Sequence, residues 1–118
     1  MSTPQTYRLK FIADDTFVQQ LEADAAQERE HLKIESAKKD KDATRLGFDL
    51  VTVSVVVTII SGTLYAGELA TKIISWWQQS KGNKIIIQGP FQTLELHKSN
   101  PLTEEDVRKF LQAAQELQ

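Results

Sequence analysis

Apolar and polar residues alternate at the start of the chain, where Tyr7, Leu9 and Phe11 are separated by Arg8 and Lys10. A period of two predicts a strand with one buried face, ending at Asp14 and Asp15. Either aspartate suits the cap of a following helix, with Phe17, Val18, Leu21 and Ala25 on one side and Gln20, Glu22 and Asp24 on the other. Alternation returns over 31–36, where Leu32 and Ile34 are set against His31, Lys33 and Glu35, and predicts a second strand. From Ala37 to Gly47 the chain holds Lys38, Lys39, Asp40, Lys41, Asp42 and Arg45 and almost nothing apolar, which predicts a flexible charged loop over 37–47.

Residues 48–80 carry two conflicting periods. Val51, Val53, Val55 and Val57 alternate with Thr52, Ser54 and Thr58 and have strong β propensity. Val56, Ile59 and Ile60 interrupt that alternation, and Leu69, Ile73, Ile74, Trp76 and Trp77 recur at helical spacing. Ser54, Thr58, Gly62, Ala66 and Ala70 form a row of small residues at steps of four, the spacing of one helical face. The expectation is therefore one long apolar helix over 48–80, stopped by Lys81 and a left-handed Gly82, with a strand over 50–58 left as the open alternative.

Residues 84–88 and 93–97 flank Gly89, Pro90 and Phe91, which predicts an antiparallel hairpin with Leu94 and Leu96 turned inward. Thr103 then precedes Glu104, Glu105 and Asp106, while Leu102 and Val107 stand at the positions of a hydrophobic staple. The last helix buries Val107, Phe110, Leu111, Ala114 and Leu117. The predicted order is β-α-β-α-β-β-α. It implies a single α+β domain over 1–118, with one small, mostly antiparallel four-stranded sheet packed by a long central helix and two shorter ones, ferredoxin-like in character.

Composition narrows the chemistry. The 118 residues include 25% charged and 41% hydrophobic side chains with a net charge of -2, the ordinary globular range without the basic surplus that nucleic-acid binding favours. Cysteine is absent, so disulfides, thiol nucleophiles and thiolate metal sites are excluded, and a cytoplasmic location is expected. Met1 to Gln5 lacks the pattern of a secretory leader. His31 and His97 are the only histidines and have no second ligand at a metal-binding spacing. The acidic runs fall where helix N-termini prefer negative charge. No glycine pattern cradles a phosphate and no serine occupies a nucleophile elbow, so no catalytic residue, metal or cofactor is predicted. His97 and Glu95, two apart on one strand face, are the sole acid-base pairing worth naming.

Adjacent helical positions differ by roughly 100° in direction, so Trp76 and Trp77 are not expected to face the core together. The exposed member, together with the row Ser54, Thr58, Gly62 and Ala66, is the candidate interaction surface for a partner protein or a second copy of the chain. An alternative is a small membrane-associated protein that inserts residues 50–67, which carry no charge, into lipid.

Order and pattern together resemble the effector-associated constant component family of bacterial conflict systems, found in cyanobacteria and actinobacteria. The likeness rests on the first strand with its acidic residues and Leu21, on Leu32-Lys33-Ile34, and on the apolar stretch ending Ile74-Ser75-Trp76-Trp77. It continues through Ile85-Ile86-Ile87-Gln88-Gly89-Pro90, Thr93-Leu94-Glu95-Leu96, Asn100 and the final helix. Family members usually have Trp-Leu where this chain has Trp76-Trp77, and a second glycine where it has Phe91 or Gln92. The resemblance implies a non-enzymatic adaptor encoded beside an effector such as a caspase-like or trypsin-like peptidase, with Trp76 the position carried over and no catalytic residue transferred.

Overall fold

The computed structural model describes residues 5–27, 31–39, 52–61, 65–82, 84–89, 92–98 and 104–116. Its elements are β1 (Gln5–Asp14), α1 (Asp15–Gln27), β2 (Leu32–Lys39), β3 (Thr52–Ser61), α2 (Tyr65–Gln79), β4 (Lys84–Gln88), β5 (Thr93–His97) and α3 (Glu104–Glu116). The class is α+β, with three helices and a five-stranded sheet in the order β2-β3-β1-β4-β5, every neighbouring pair antiparallel.

The long helix expected over 48–80 is instead a strand followed by a shorter helix. β3 pairs with β1 along all ten residues, from Gln5↔Ser61 to Asp14↔Thr52, and with β2 on its other side. Val53, Val55, Val57 and Ile59 stand opposite Ala13, Phe11, Leu9 and Tyr7. β-Branched side chains restrict χ1 and suit the pleated surface, and here the strand reading has partners on both edges. The sheet therefore gains a fifth strand. The row of small residues is not a helical face: Ser54 and Thr58 belong to β3, the backbone of Ala66 belongs to α2, and Gly62 lies outside the described residues.

β1 and β2 both run antiparallel to β3, so they are parallel to each other with α1 between them in sequence. β3 and β4 likewise flank β1 and are joined through α2. The first six elements thus form two interleaved split βαβ units, the connectivity of ferredoxin-like sheets, to which β5 and α3 are added.

All three helices contribute to one core with the odd positions of β1 and β3. Leu9, Phe11, Val55, Val57 and Ile59 meet Phe17, Leu21, Leu69, Ile73, Trp76, Val107 and Leu111 there. Each buried aliphatic or aromatic side chain contributes about 1.5–3 kcal/mol. Phe11, Phe17 and Trp76 stack in series, with ring centroids 5.8 and 5.9 Å apart. α2 touches both α1 and α3, and its buried Leu69, Ile73 and Trp76 share the core cluster with the strands.

Two expected features of the ends differ. Ala37–Lys39 continue β2 rather than opening the charged loop, whose remainder at 40–47 lies outside the described residues. Gly82 does not adopt the left-handed conformation expected of a helix stop. It is required by close approach, since a Cβ there would lie 2.7 Å from Asp14 Oδ1. Asp14 is the cap of α1, accepting from Thr16 N–H at 3.1 Å and from the Thr16 hydroxyl. That hydroxyl oxygen in turn accepts from Lys81 N–H at 2.9 Å, tying the segment after α2 to the start of α1.

The strand reading predicts a period-two pattern of mutational sensitivity. Val57→Ala, at a fully buried position, should cost about 2 kcal/mol in urea denaturation, whereas Thr58→Ala next to it should cost under about 1 kcal/mol. Equal sensitivity at 57 and 58, or a spacing of three to four, would contradict it.

Candidate interaction surface

The register assigns each strand residue to a face. Even positions of β1 and β3 turn away from the helices: Thr6, Arg8, Lys10 and Ile12 beside Ile60, Thr58, Val56 and Ser54. β2 adds Lys33, opposite Thr58, and Lys38, opposite Ser54. Glu35 falls at the irregularity between Ile34 and Ser36, and its carboxylate accepts from the Thr58 hydroxyl at 2.9 Å. β4 and β5 add Lys84, Ile86 and Gln88 facing His97, Glu95 and Thr93. Ile12 and Ile86, cross-strand partners, form a separate small apolar cluster there.

Charge is segregated between the layers. The five strands carry six basic and three acidic residues, and the three helices carry three basic and eight acidic residues. A net of -2 for the chain therefore conceals a positive sheet and a negative helix layer. On the sheet face the charges fall into two groups. Lys84 Nζ lies 3.4 Å from Glu95 Oε1, and His97 Nε2 lies 3.8 Å from Glu95 Oε2, at the β4–β5 side. Toward β2 there is a depression of about 680 Å³, lined by Arg8, Lys10, Glu35, Val56, Thr58 and Gln88 among others. Among the described residues, neither Arg8 nor Lys10 has an ion-pair partner.

The predicted site residues are dispersed. Trp76 and Trp77 are both buried, at 2% and 4% exposure, which corrects the expectation that one is presented at the surface. Each faces a different neighbour. Trp76 packs edge-on against Phe17 on α1 and donates from Nε1 to Asp24. Trp77 is capped by Lys98, whose Nζ sits 5.2 Å from the ring centroid and also donates to the Ser80 carbonyl. Ser54 and Thr58 do share a face, but it is the sheet face away from the helices. His97 and Glu95 come together as the sequence suggested, in the open, at 41% and 48% side-chain exposure. His31 is half-buried, with Nδ1 3.3 Å from the Ile60 carbonyl.

Arg8, Lys10 and Gln88 were not singled out by the sequence reading. The signal was present in the alternation of Arg8 and Lys10 with buried residues, but their convergence with Glu35 and Thr58 needs β3 as the intervening strand. Among the described residues no group of three or more His, Asp or Glu side chains gathers into a metal-binding cluster, and no helix is long and apolar enough to cross a membrane. Residues 52–61 of the segment expected to enter lipid are the strand between β1 and β2.

Buried polar atoms mark a further property of this sheet. The Tyr7 hydroxyl, Asp14 Oδ1 and Thr52 Oγ1 are buried without hydrogen-bond partners. Burial raises the Tyr7 phenol well above its ordinary range, because the phenolate would lose its hydration.

No family model, no curated protein and no solved structure matches this chain.

Trp77→Ala should lower unfolding free energy by about 3–5 kcal/mol, the cost of emptying a buried indole site, where an exposed tryptophan would cost under about 0.5 kcal/mol. Denaturant titration decides between them. Tyr7 gives a pH-dependent test. Its unfolded-state phenol ionises near 10 while the folded one stays protonated, so stability falls as pH rises beyond about 10. Tyr7→Phe should change stability at neutral pH by no more than about 1 kcal/mol and reduce that alkaline loss. An unchanged alkaline profile in the variant would contradict the assignment.

Proposed function

We propose that this chain is a non-enzymatic accessory module that docks onto a partner protein through the face of its sheet opposite the helices. The resemblance in order and pattern points to an effector encoded nearby, such as a caspase-like or trypsin-like peptidase of a bacterial defence or cell-suicide system. The observation that carries the choice of surface is the charge segregation: a positive sheet on a chain of net negative charge. Such a distribution orients an approaching partner and selects its sign.

The surface differs from the one proposed on sequence grounds. Trp77 is enclosed, so it stabilises the helix layer rather than contacting a partner. Ser54 and Thr58 retain a place in the proposal as half-buried residues of the sheet face turned away from the helices, Thr58 as a wall of the depression.

A photo-crosslinking amino acid placed at Thr58, on the sheet, and separately at Gln112, exposed on α3, tests this. The expected result is one protein crosslinked from native lysate at position 58 and absent at 112, which rebinds in purified two-component titration. Crosslinking at 112 alone, or a partner that does not rebind when purified, contradicts the proposal.

A further inference from the structure

We propose that the part of the partner seated on this sheet face is an extended acidic segment, with carboxylates placed on Arg8 and Lys10. The inference rests on the docking surface just proposed and specifies its chemistry.

Free charge in the depression is positive. Glu35 is already engaged, accepting from the Thr58 hydroxyl at 2.9 Å with Lys33 Nζ at 4.0 Å. Arg8 is exposed and Lys10 half-buried, and among the described residues no carboxylate pairs with either. A half-buried cation loses part of its hydration without an opposite charge in return, so a carboxylate arriving there is favoured more than one at an open surface lysine. Gln88, opposite Lys10 on the other side, adds amide donors, and Arg8 presents the planar fork that matches a carboxylate.

Spacing selects an extended ligand. Arg8 and Lys10 are two apart in one strand, so their Cα atoms are separated by roughly 6.8 Å. Successive same-side residues of an extended peptide have that same separation. Carboxylates at alternate positions of such a peptide therefore fall on both cations at once, while Val56 offers apolar contact beside them.

The same features disfavour nucleic acid. Single strands are bound on aromatic platforms, and the aromatic residues of β1, Tyr7 and Phe11, are turned into the core.

The experiment uses the full chain and a fluorescein-labelled twelve-residue peptide of alternating Glu and Thr, with the Lys-Thr counterpart and a twelve-nucleotide single-stranded RNA as comparisons. Fluorescence anisotropy at low salt should show binding of the acidic peptide, weakened by added salt. Arg8→Glu combined with Lys10→Glu should reduce it about tenfold or more, and the milder Arg8→Ala with Lys10→Ala should reduce it less. Lys109→Glu, a charge reversal on exposed α3, should leave it unchanged, and circular dichroism checks that each variant is folded. Equal binding by the double variants, no binding of the acidic peptide, or tighter binding of the RNA overturns the inference. If Thr58 crosslinking still captures a partner that the acidic peptide does not displace, the acidic segment is wrong while the docking surface stands.

Discussion

Insertion of β3 between β1 and β2 is the constraint on which the other features of the chain depend. Backbone amides and carbonyls in a sheet interior need partners on both edges, because leaving one buried and unpaired costs about 1–3 kcal/mol. β3 meets that demand with ten paired positions on β1 and seven on β2. Its odd side chains, Val55, Val57 and Ile59, are fully buried under the helices. Once it occupies that slot, β1 and β2 become parallel, α1 has to connect them on one side, and α2 returns the chain to the far side of β1. The helices of the two crossovers form one layer because β1→β2 and β3→β4 cross in opposite directions from antiparallel strands, and a right-handed crossover then puts both on the same face.

That layering accounts for the tryptophans and for the charges. α2 packs on the sheet beside α1, with Trp76 turned toward Phe17 and Trp77 lying beneath Lys98 at the end of β5. The acidic residues that favour helix N-termini, such as Asp15, Glu104 and Glu105, accumulate in the helix layer. Lysine and arginine occupy the opposite sheet face and its β2 edge, where lysines also discourage unwanted strand pairing. Local rules for helices and edges thus separate charge across the molecule, and a directional surface follows from them.

Much of this was legible in the chain itself. β1, α1, the start of β2, the β4–β5 hairpin and α3 lie where alternation, helical spacing and acidic first turns place them. β3 was not, for a physical reason: a step of four is a multiple of two, so Ser54 and Thr58 share a face in a strand as well as in a helix. Residues at that spacing do not separate the two readings, and β-branching at Val53, Val55, Val56 and Val57 was the better guide. Burial of both tryptophans was hidden because it depends on Phe17 of α1 and Lys98 after β5, residues far from α2 in sequence. The depression was hidden because Arg8, Glu35, Thr58 and Gln88 come from four strands whose order the sequence does not state, and a net charge near zero gives no sign of how charge is divided between layers.

Everything from the parallel placement of β1 and β2 to the cationic depression requires residues 52–61 to be extended and paired with β1. Long-range nuclear Overhauser effects measure that directly. Contacts linking residues 7–13 with 53–59 in the antiparallel register, Phe11 with Val55 and Leu9 with Val57 among them, are the result this account predicts. Strong sequential amide–amide contacts through 52–61 with none to β1 would show a helix there, and the layered fold with its two unlike faces would not stand.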